Sequence, residues 1–142
     1  MEQTTWFFTE FDLDGYPLLL RYPEAFDFEA CREVFPELLL ITHTLKETSP
    51  LGLPETEYNK SLEDLDYFLT HMFEDKSLGK TVFIETFSGS RTYYYYISPQ
   101  ADLQLYSDYI KASFPDNELN WDLREDPNWH ILDSIALTYQ LY

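Results

Sequence analysis

KTVFIETFSGSRTYYYYI, from Lys80 to Ile97, is the stretch of the sequence that most clearly indicates the fold. Two runs rich in Val, Ile, Thr, Tyr and Phe, Thr81–Phe87 and Arg91–Ile97, flank the turn sequence Ser88-Gly89-Ser90. β-Branched and aromatic residues favour strands, and a glycine-centred gap favours a tight turn. The stretch therefore predicts a β-hairpin in the middle of the chain.

Four consecutive tyrosines give the second strand of this hairpin two aromatic faces. Because alternate residues of a strand face opposite sides, Tyr94 and Tyr96 share one face, and Tyr93 and Tyr95 share the other. We expect one pair to pack beneath helices. The other pair would lie on an open face, where it could meet the N-terminal part of the chain or a partner.

On the N-terminal side of the hairpin, the sequence predicts a strand, a loop and a helix. Leu38–Leu45 is a nearly continuous apolar run, which favours a central strand buried on both faces. Lys46–Tyr58 holds two prolines and a glycine and predicts a loop. Asn59 or Ser61 could cap the next helix. Its apolar stripe has helical spacing and consists of Leu62, Leu65, Leu69, Met72 and Phe73.

On the C-terminal side, Ser98-Pro99 predicts a helix start, because Ser caps helices and Pro suits their first position. The buried stripe of that helix would be Leu103, Tyr106, Ile110 and Phe114. Glu118–Arg124 alternates apolar and polar residues and predicts a half-buried strand. A last helix is predicted within Trp129–Tyr142.

The N-terminal segment predicts a further hairpin and a short helix. Trp6–Phe11 and Tyr16–Tyr22 are strand-like, and Asp12-Leu13-Asp14-Gly15 between them has turn chemistry. The D-x-D-G spacing also occurs in calcium loops, but the Glu that completes an EF-hand loop is missing. Pro23–Val34 predicts a short helix with Phe26, Ala30 and Val34 on one side.

From Leu38 onward the predicted order is β-α-β-β-α-β. That order favours an α+β fold of ferredoxin-like arrangement, an antiparallel sheet with two helices on one face. The N-terminal hairpin would extend or flank this sheet. No linker or repeat interrupts the sequence, so we expect one domain over residues 1–142.

The charge of the chain restricts its partners. The 142 residues include 26 acidic and 9 basic side chains, a formal net charge of −17. Nucleic acid and anionic membranes are therefore unexpected as direct partners, whereas a basic protein would fit. An acidic surface is also often only a solvated surface, and we favour that interpretation of the charge. A single cysteine, Cys31, cannot form an internal disulfide, and the N-terminus lacks signal-peptide features. We expect a cytoplasmic protein.

No motif identifies a reaction. The three histidines, His43, His71 and His130, lack metal-site spacing, and P-loop, nucleotide-binding and nucleophile-elbow motifs are missing. The sequence predicts no catalytic residue, cofactor or metal. The candidate contacts with a partner or ligand are Tyr93, Tyr95, Asp126 and Trp129. For Trp129 we favour a buried structural role, with Asp126 capping the turn near Asn128.

Several of these segments resemble the bacterial domain of unknown function, family 695. They are Gly52-Leu53-Pro54 with Glu57, the Arg91–Tyr96 strand, Phe114-Pro115 and Asp126-Pro127-Asn128-Trp129. The resemblance covers nearly the whole chain and implies a small bacterial cytosolic α+β protein. It supplies no catalytic residues. The family is distantly similar, in fold and charge only, to the protein inhibitor of ribonuclease E.

Two functions fit these observations. The first is a non-catalytic acidic domain that binds or regulates a basic protein. The alternative is a small-ligand-binding protein or enzyme, with an aromatic pocket under the Lys46–Tyr58 loop.

Overall fold

A computed structural model describes residues 6–24 and 28–141, and its centre is one antiparallel sheet. Its strands lie in the order β1-β2-β4-β5-β3-β6. The chain forms, in sequence, β1 (Trp6–Leu13), β2 (Tyr16–Pro23), α1 (Phe28–Val34), β3 (Glu37–Thr44), α2 (Thr56–Ser61), α3 (Glu63–His71), a short 3-10 turn (Glu74–Lys76), β4 (Gly79–Phe87), β5 (Ser90–Ile97), α4 (Leu103–Ser113), β6 (Glu118–Glu125) and α5 (His130–Tyr139).

The predicted central hairpin is confirmed as β4 and β5. Its turn places Ser88 at φ +49° and Gly89 at φ +87°. Two successive positive φ values match the turn that continues the right-handed twist of paired strands. The two strands pair from Phe87–Ser90 to Gly79–Ile97, and the register shifts between Thr81 and Phe83.

The prediction for Leu38–Leu45 is also confirmed. Strand β3 pairs antiparallel with β5 on one side and with β6 on the other. Leu38 and Leu39 face opposite sides of the sheet, and both are fully buried. The strand is therefore covered on both faces, and β6 forms the edge beside it.

The N-terminal hairpin extends the sheet on its other side. Asp14 and Gly15 form the turn, and β2 joins β4 through Leu18–Arg21. The pairing with β4 begins one residue after Pro17, which has no N–H to donate. Strand β1 is thus the second edge of the sheet.

Helices cover both faces, which corrects the expectation of one open face. Helices α3 and α4 bury one face, and their stripes pack on residues such as Leu39, Ile41 and Tyr95. The other face packs against α5 through Trp129 and Leu132. Helix α1 approaches the same face through Cys31.

Two helix boundaries and the apolar side of one helix differ from the sequence predictions. Helix α4 begins at Leu103 because Asp102 caps it, accepting the Leu105 N–H at 3.2 Å, while Ser98 caps only a turn. The expected cap at Asn59 or Ser61 is wrong, because α2 occupies Thr56–Ser61 and α3 follows without a side-chain cap. The expected apolar side of α1 is wrong at Val34, whose exposed fraction is 56%, and Phe26 lies outside the described residues.

Candidate functional site

A cleft lies where the N-terminal hairpin, the start of α3 and the turn end of β4–β5 meet. Its volume is about 380 Å³. All these elements contribute side chains to its wall, and the lining residues are Phe8, Thr9, Glu10, Leu19, Leu20, Arg21, Asn59, Glu63, Asp66, Thr86 and Arg91. This cleft is not the pocket predicted under the Lys46–Tyr58 loop, because none of its lining residues comes from that loop and only Phe8 among them is aromatic.

Strand register and helix spacing bring the polar side chains of the cleft together. On β2, Leu18, Leu20 and Tyr22 pack on the α5 face, which turns Arg21 toward α3. Asp66 follows Leu65 on α3 and points across at this arginine. Thr86 and Arg91 are direct partners in the β4–β5 pair, and Tyr93 lies two residues along the same face of β5.

Asp66 is the centre of the polar floor. The two terminal nitrogens of Arg21 donate hydrogen bonds to it, at 3.0 Å to Oδ2 and 2.6 Å to Oδ1. This bidentate geometry fixes both side chains. The Tyr93 hydroxyl donates to the same Oδ1. Arg91 Nη1 lies 3.8 Å from this oxygen, so a second guanidinium shares the carboxylate.

Arg91 is held in place by two neutral side chains. Its Nε donates to Thr86 Oγ1 and its Nη2 donates to Asn59 Oδ1, both at 3.0 Å. The residue is buried, with 8% of its surface exposed. Its position is therefore set before any ligand arrives, which reduces the entropy lost on binding.

Asp66, Tyr93 and Arg21 each have a pKa that is shifted away from neutral pH. Burial alone would raise the pKa of Asp66, but bonds from Arg21 and Tyr93 and the nearby charges hold that pKa below its usual value. Burial, followed by the Asp66 charge, raises the pKa of the Tyr93 hydroxyl. Burial would lower the pKa of Arg21, but Asp66 and the Tyr93 hydroxyl raise it overall. The floor therefore carries fixed charges.

The four predicted contact residues lie in the interior, on two different faces of the sheet. Tyr93 and Tyr95 lie under α3, with exposed fractions of 1% and 0%, and Tyr95 donates to the Leu69 carbonyl at 2.6 Å. Asp126 and Trp129 lie at the start of α5, 7% and 0% exposed. None of the four lines the cleft, and Tyr93 is bonded to a residue that does, Asp66.

Asp126 and Trp129 form a buried corner with Tyr96. Asp126 accepts the Tyr96 hydroxyl at 2.6 Å and the N–H groups of His130 and Ile131 at 3.0 Å. The predicted cap thus exists, slightly further along the chain than expected. The Trp129 ring stacks on Tyr96 with 4.0 Å between ring centroids and donates to the Phe35 carbonyl. The predicted structural burial of Trp129 is confirmed.

Sequence reasoning missed Arg21, Asp66 and Arg91. Arg21 interrupts an apolar strand, and Arg91 opens the tyrosine-rich strand, so both were unusual cations in buried segments. Asp66 lies outside the apolar stripe predicted for its helix and stands in the sequence among other acidic residues, Glu63 and Asp64. Charged side chains in a protein interior are almost always paired. Two arginines within apolar strands are therefore a signal that predicts a carboxylate between them.

Among the described residues, no group of three or more His, Cys, Asp or Glu side chains could hold a metal ion. His43 is buried on the α3 face, and its Nε2 lies 3.1 Å from Asn117 Oδ1. Burial lowers the pKa of His43, so its ring is neutral at pH 7. No helix in residues 6–24 and 28–141 is long and apolar enough to cross a membrane.

Comparison with known proteins gives one family. The model of a family of unknown function, DUF695, matches residues 4–134. The chain belongs to this family. No curated protein and no solved structure matches the chain. Of the DUF695 segments noted above, the Gly52 loop packs on the β4–β5 turn, and Asp126-Pro127-Asn128-Trp129 closes the buried corner.

Proposed function

We propose that this DUF695 protein is a non-catalytic binding domain whose site is the cleft above Asp66. The observation that supports this most is the fixed charged floor at the base of a cavity of about 380 Å³. Ligand sites are typically concave, of this size, and contain a few convergent polar groups. Here Arg21, Asp66 and Arg91 converge, and Phe8 and Leu19 add apolar wall.

The chemistry of the floor favours recognition over reaction. A general acid or base works best with a pKa near the working pH. The pKa of Asp66 is lowered and that of Tyr93 is raised, so both groups move away from neutrality. The two arginines stay charged and can orient a ligand, but they have no proton to exchange at pH 7.

A second candidate is a basic protein partner on the acidic surface. The net charge of −17 supports it, and edge strand β1 exposes Phe7 and Phe8 by 44% and 74%. An aromatic edge strand within an acidic surface suits a partner that adds backbone pairing and positive charge. As a regulator of this kind, the protein would act in the bacterial cytoplasm, a location that the single cysteine supports.

We also propose a ferredoxin-like unit within the fold. The order β4-β5-β3-β6 and the packing of α3 and α4 on one face support this interpretation. In it, the β1–β2 hairpin is an addition that supplies one wall of the cleft.

The test is a pair of neighbouring substitutions on the exposed start of α3. Glu63→Trp would fill the cleft, whereas Asp64→Trp places the same ring on an exposed position outside the lining. The wild type and both variants would be incubated with a small-molecule extract of the source cells, and retained compounds identified by mass spectrometry. Matching melting temperatures would show that all three proteins are folded.

We expect the wild type and Asp64→Trp to retain a compound that Glu63→Trp loses. Equal retention by all three proteins, or retention by none, would contradict the cleft as the site. Binding of a basic protein with equal affinity by all three, with no compound retained, would favour the second candidate.

A further inference from the structure

The floor of the cleft carries more positive than negative charge. Arg21 and Arg91 both approach the single carboxylate of Asp66. Tyr93, Thr86 and Asn59 complete the floor and are neutral. One guanidinium charge therefore has no counter-ion on the floor, and a buried cation without an anion is unfavourable.

Both arginines line the cavity and have N–H groups beyond those in the hydrogen bonds described above. Each guanidinium has five N–H groups. The bonds to Asp66 use two from Arg21, and the bonds to Thr86 and Asn59 use two from Arg91. A carboxylate from solution could thus accept further N–H groups and supply the missing negative charge.

The rim of the same cavity has the opposite sign. Glu10 on β1 and Glu63 on α3 line it, and both are exposed. Among residues 6–24 and 28–141, no ion pair joins either glutamate to Arg21 or Arg91. These carboxylates would repel a phosphate dianion but would attract an ammonium group held a few ångströms above the floor.

The lining of the cleft also includes apolar side chains. Phe8 is 74% exposed on β1, and Leu19 on β2 is the strand partner of Glu10. Covering these side chains with an apolar group would remove hydrocarbon from water at about 25 cal/mol per Å². The lining thus combines two cations, two exposed carboxylates and hydrocarbon.

We infer that the cleft binds a free α-amino acid with an apolar side chain. Its carboxylate would lie against Arg91 and Arg21, its ammonium against Glu63 and Glu10, and its side chain against Phe8 and Leu19. This inference rests on the proposed function, since it names the ligand class of the same site.

The experiment measures binding of the twenty amino acids by thermal shift and titration calorimetry. For each binder, the matched amide and N-acetyl derivatives are then titrated: for L-leucine these are L-leucinamide and N-acetyl-L-leucine. A dipeptide with the same C-terminal residue separates a free amino acid from a peptide terminus. We expect the amide and the N-acetyl compound each to lose at least about ten-fold in affinity, equivalent to about 1.4 kcal/mol.

Variants assign the two ends of the ligand. Glu63→Gln should weaken binding of the amino acid about ten-fold and leave binding of its N-acetyl derivative unchanged, because that derivative has no ammonium. Asp64→Gln is the matched control and should have no effect. Arg91→Lys keeps the positive charge but loses the planar guanidinium group. It should therefore weaken binding of the amino acid and leave binding of the amide unchanged.

Three results would overturn the inference: no binding of any amino acid, equal binding of the amide, or tighter binding of the dipeptide. The comparison of Glu63→Trp with Asp64→Trp tests the cleft as a binding site independently of these three results. If Glu63→Trp still loses a compound that Asp64→Trp retains, the cleft is a binding site for another class of ligand, and only the amino-acid assignment fails.

Discussion

Two aspartates on opposite faces of the same sheet differ in their exposure to solvent: Asp66 is half-buried beside a cavity and Asp126 is buried. Each accepts a tyrosine hydroxyl from strand β5: Asp66 from Tyr93 and Asp126 from Tyr96. At Asp126 the remaining donors are backbone N–H groups of α5, and a stacked Trp129 closes the corner. At Asp66 they are guanidinium groups, and a cavity lies above them.

Under the proposed function, the difference separates a role in folding from a role in binding. Backbone donors belong to one fixed helix end, and Trp129 beside Asp126 is fully buried. Guanidinium donors have spare N–H groups, and the space beside Asp66 is open to a ligand. We therefore expect substitutions at the Asp126 corner to change stability alone, and those at Asp66 to change both stability and binding.

Trp129→Ala should have the largest effect. It deletes a fully buried ring that stacks on Tyr96 and donates to Phe35. We expect a loss of about 3–5 kcal/mol in unfolding free energy, measured by urea denaturation. Leu137→Ala on α5, where the leucine is 82% exposed, should change little. A small effect of Trp129→Ala would show that the corner does not hold the fold.

Asp66→Asn should have the second largest effect on stability. It removes the anion shared by Arg21 and Arg91 and leaves two partly buried cations facing each other. We expect a loss of about 2 kcal/mol, because the site is part-exposed and solvent screens the charges. Ligand binding in the cleft should change as well. Unchanged binding with lowered stability would remove the distinction between the two aspartates.

Asp126→Asn should cost about 1 kcal/mol at pH 7, as for other helix caps, and should leave ligand binding unchanged. Burial would raise the pKa of Asp126, but bonds from Tyr96, Ile131 and His130 lower it overall. A depressed pKa in the folded state adds stability that is complete above the unfolded value of about 3.9 and is lost as the pH falls below it. Denaturation curves of wild type and variant should therefore converge toward pH 2.

Glu85→Gln should have the smallest effect, and of opposite sign. Burial raises the pKa of Glu85, which lies on the α5 face. A raised folded pKa means that ionisation costs stability at neutral pH, so the variant should be slightly more stable than the wild type at pH 7. The gain should vanish below the unfolded pKa of about 4.3. Destabilisation at pH 7 would reveal a donor that holds Glu85 charged.

The sequence predicts the strands far better than the cleft. Leu38–Leu45 and the β4–β5 hairpin follow from apolar runs, alternation and one glycine turn, which are local signals. Arg21, Asp66 and Arg91 are brought together by the pairing of β2 with β4 and the docking of α3. No local pattern contains that information, so the floor of the cleft could not be assembled from sequence.

The tyrosine run shows the same limit more narrowly. Alternation correctly separates Tyr93 and Tyr95 from Tyr96, but it does not reveal which helices cover each face. The prediction that α4 begins at Ser98 was wrong for another reason, because Ser98 and Asp102 are both residue types that cap helices. Asp102 caps the helix, while Ser98 is used in the turn before it.

The contact between Gly52 and the β4–β5 turn makes two distant segments one mechanical unit. Gly52 accepts the Gly89 N–H at 2.8 Å, and a Cβ atom there would lie 2.7 Å from Ser88 Cα. The loop leads directly into α2, which carries Asn59, the partner of Arg91. A side chain at position 52 would push the loop off the turn and move Asn59 with it. We therefore expect the loop and the turn to exchange their amide hydrogens together. We also expect a loosened loop to relax the floor of the cleft, although Gly52 is 14 residues from Asp66 and 39 from Arg91 in the sequence.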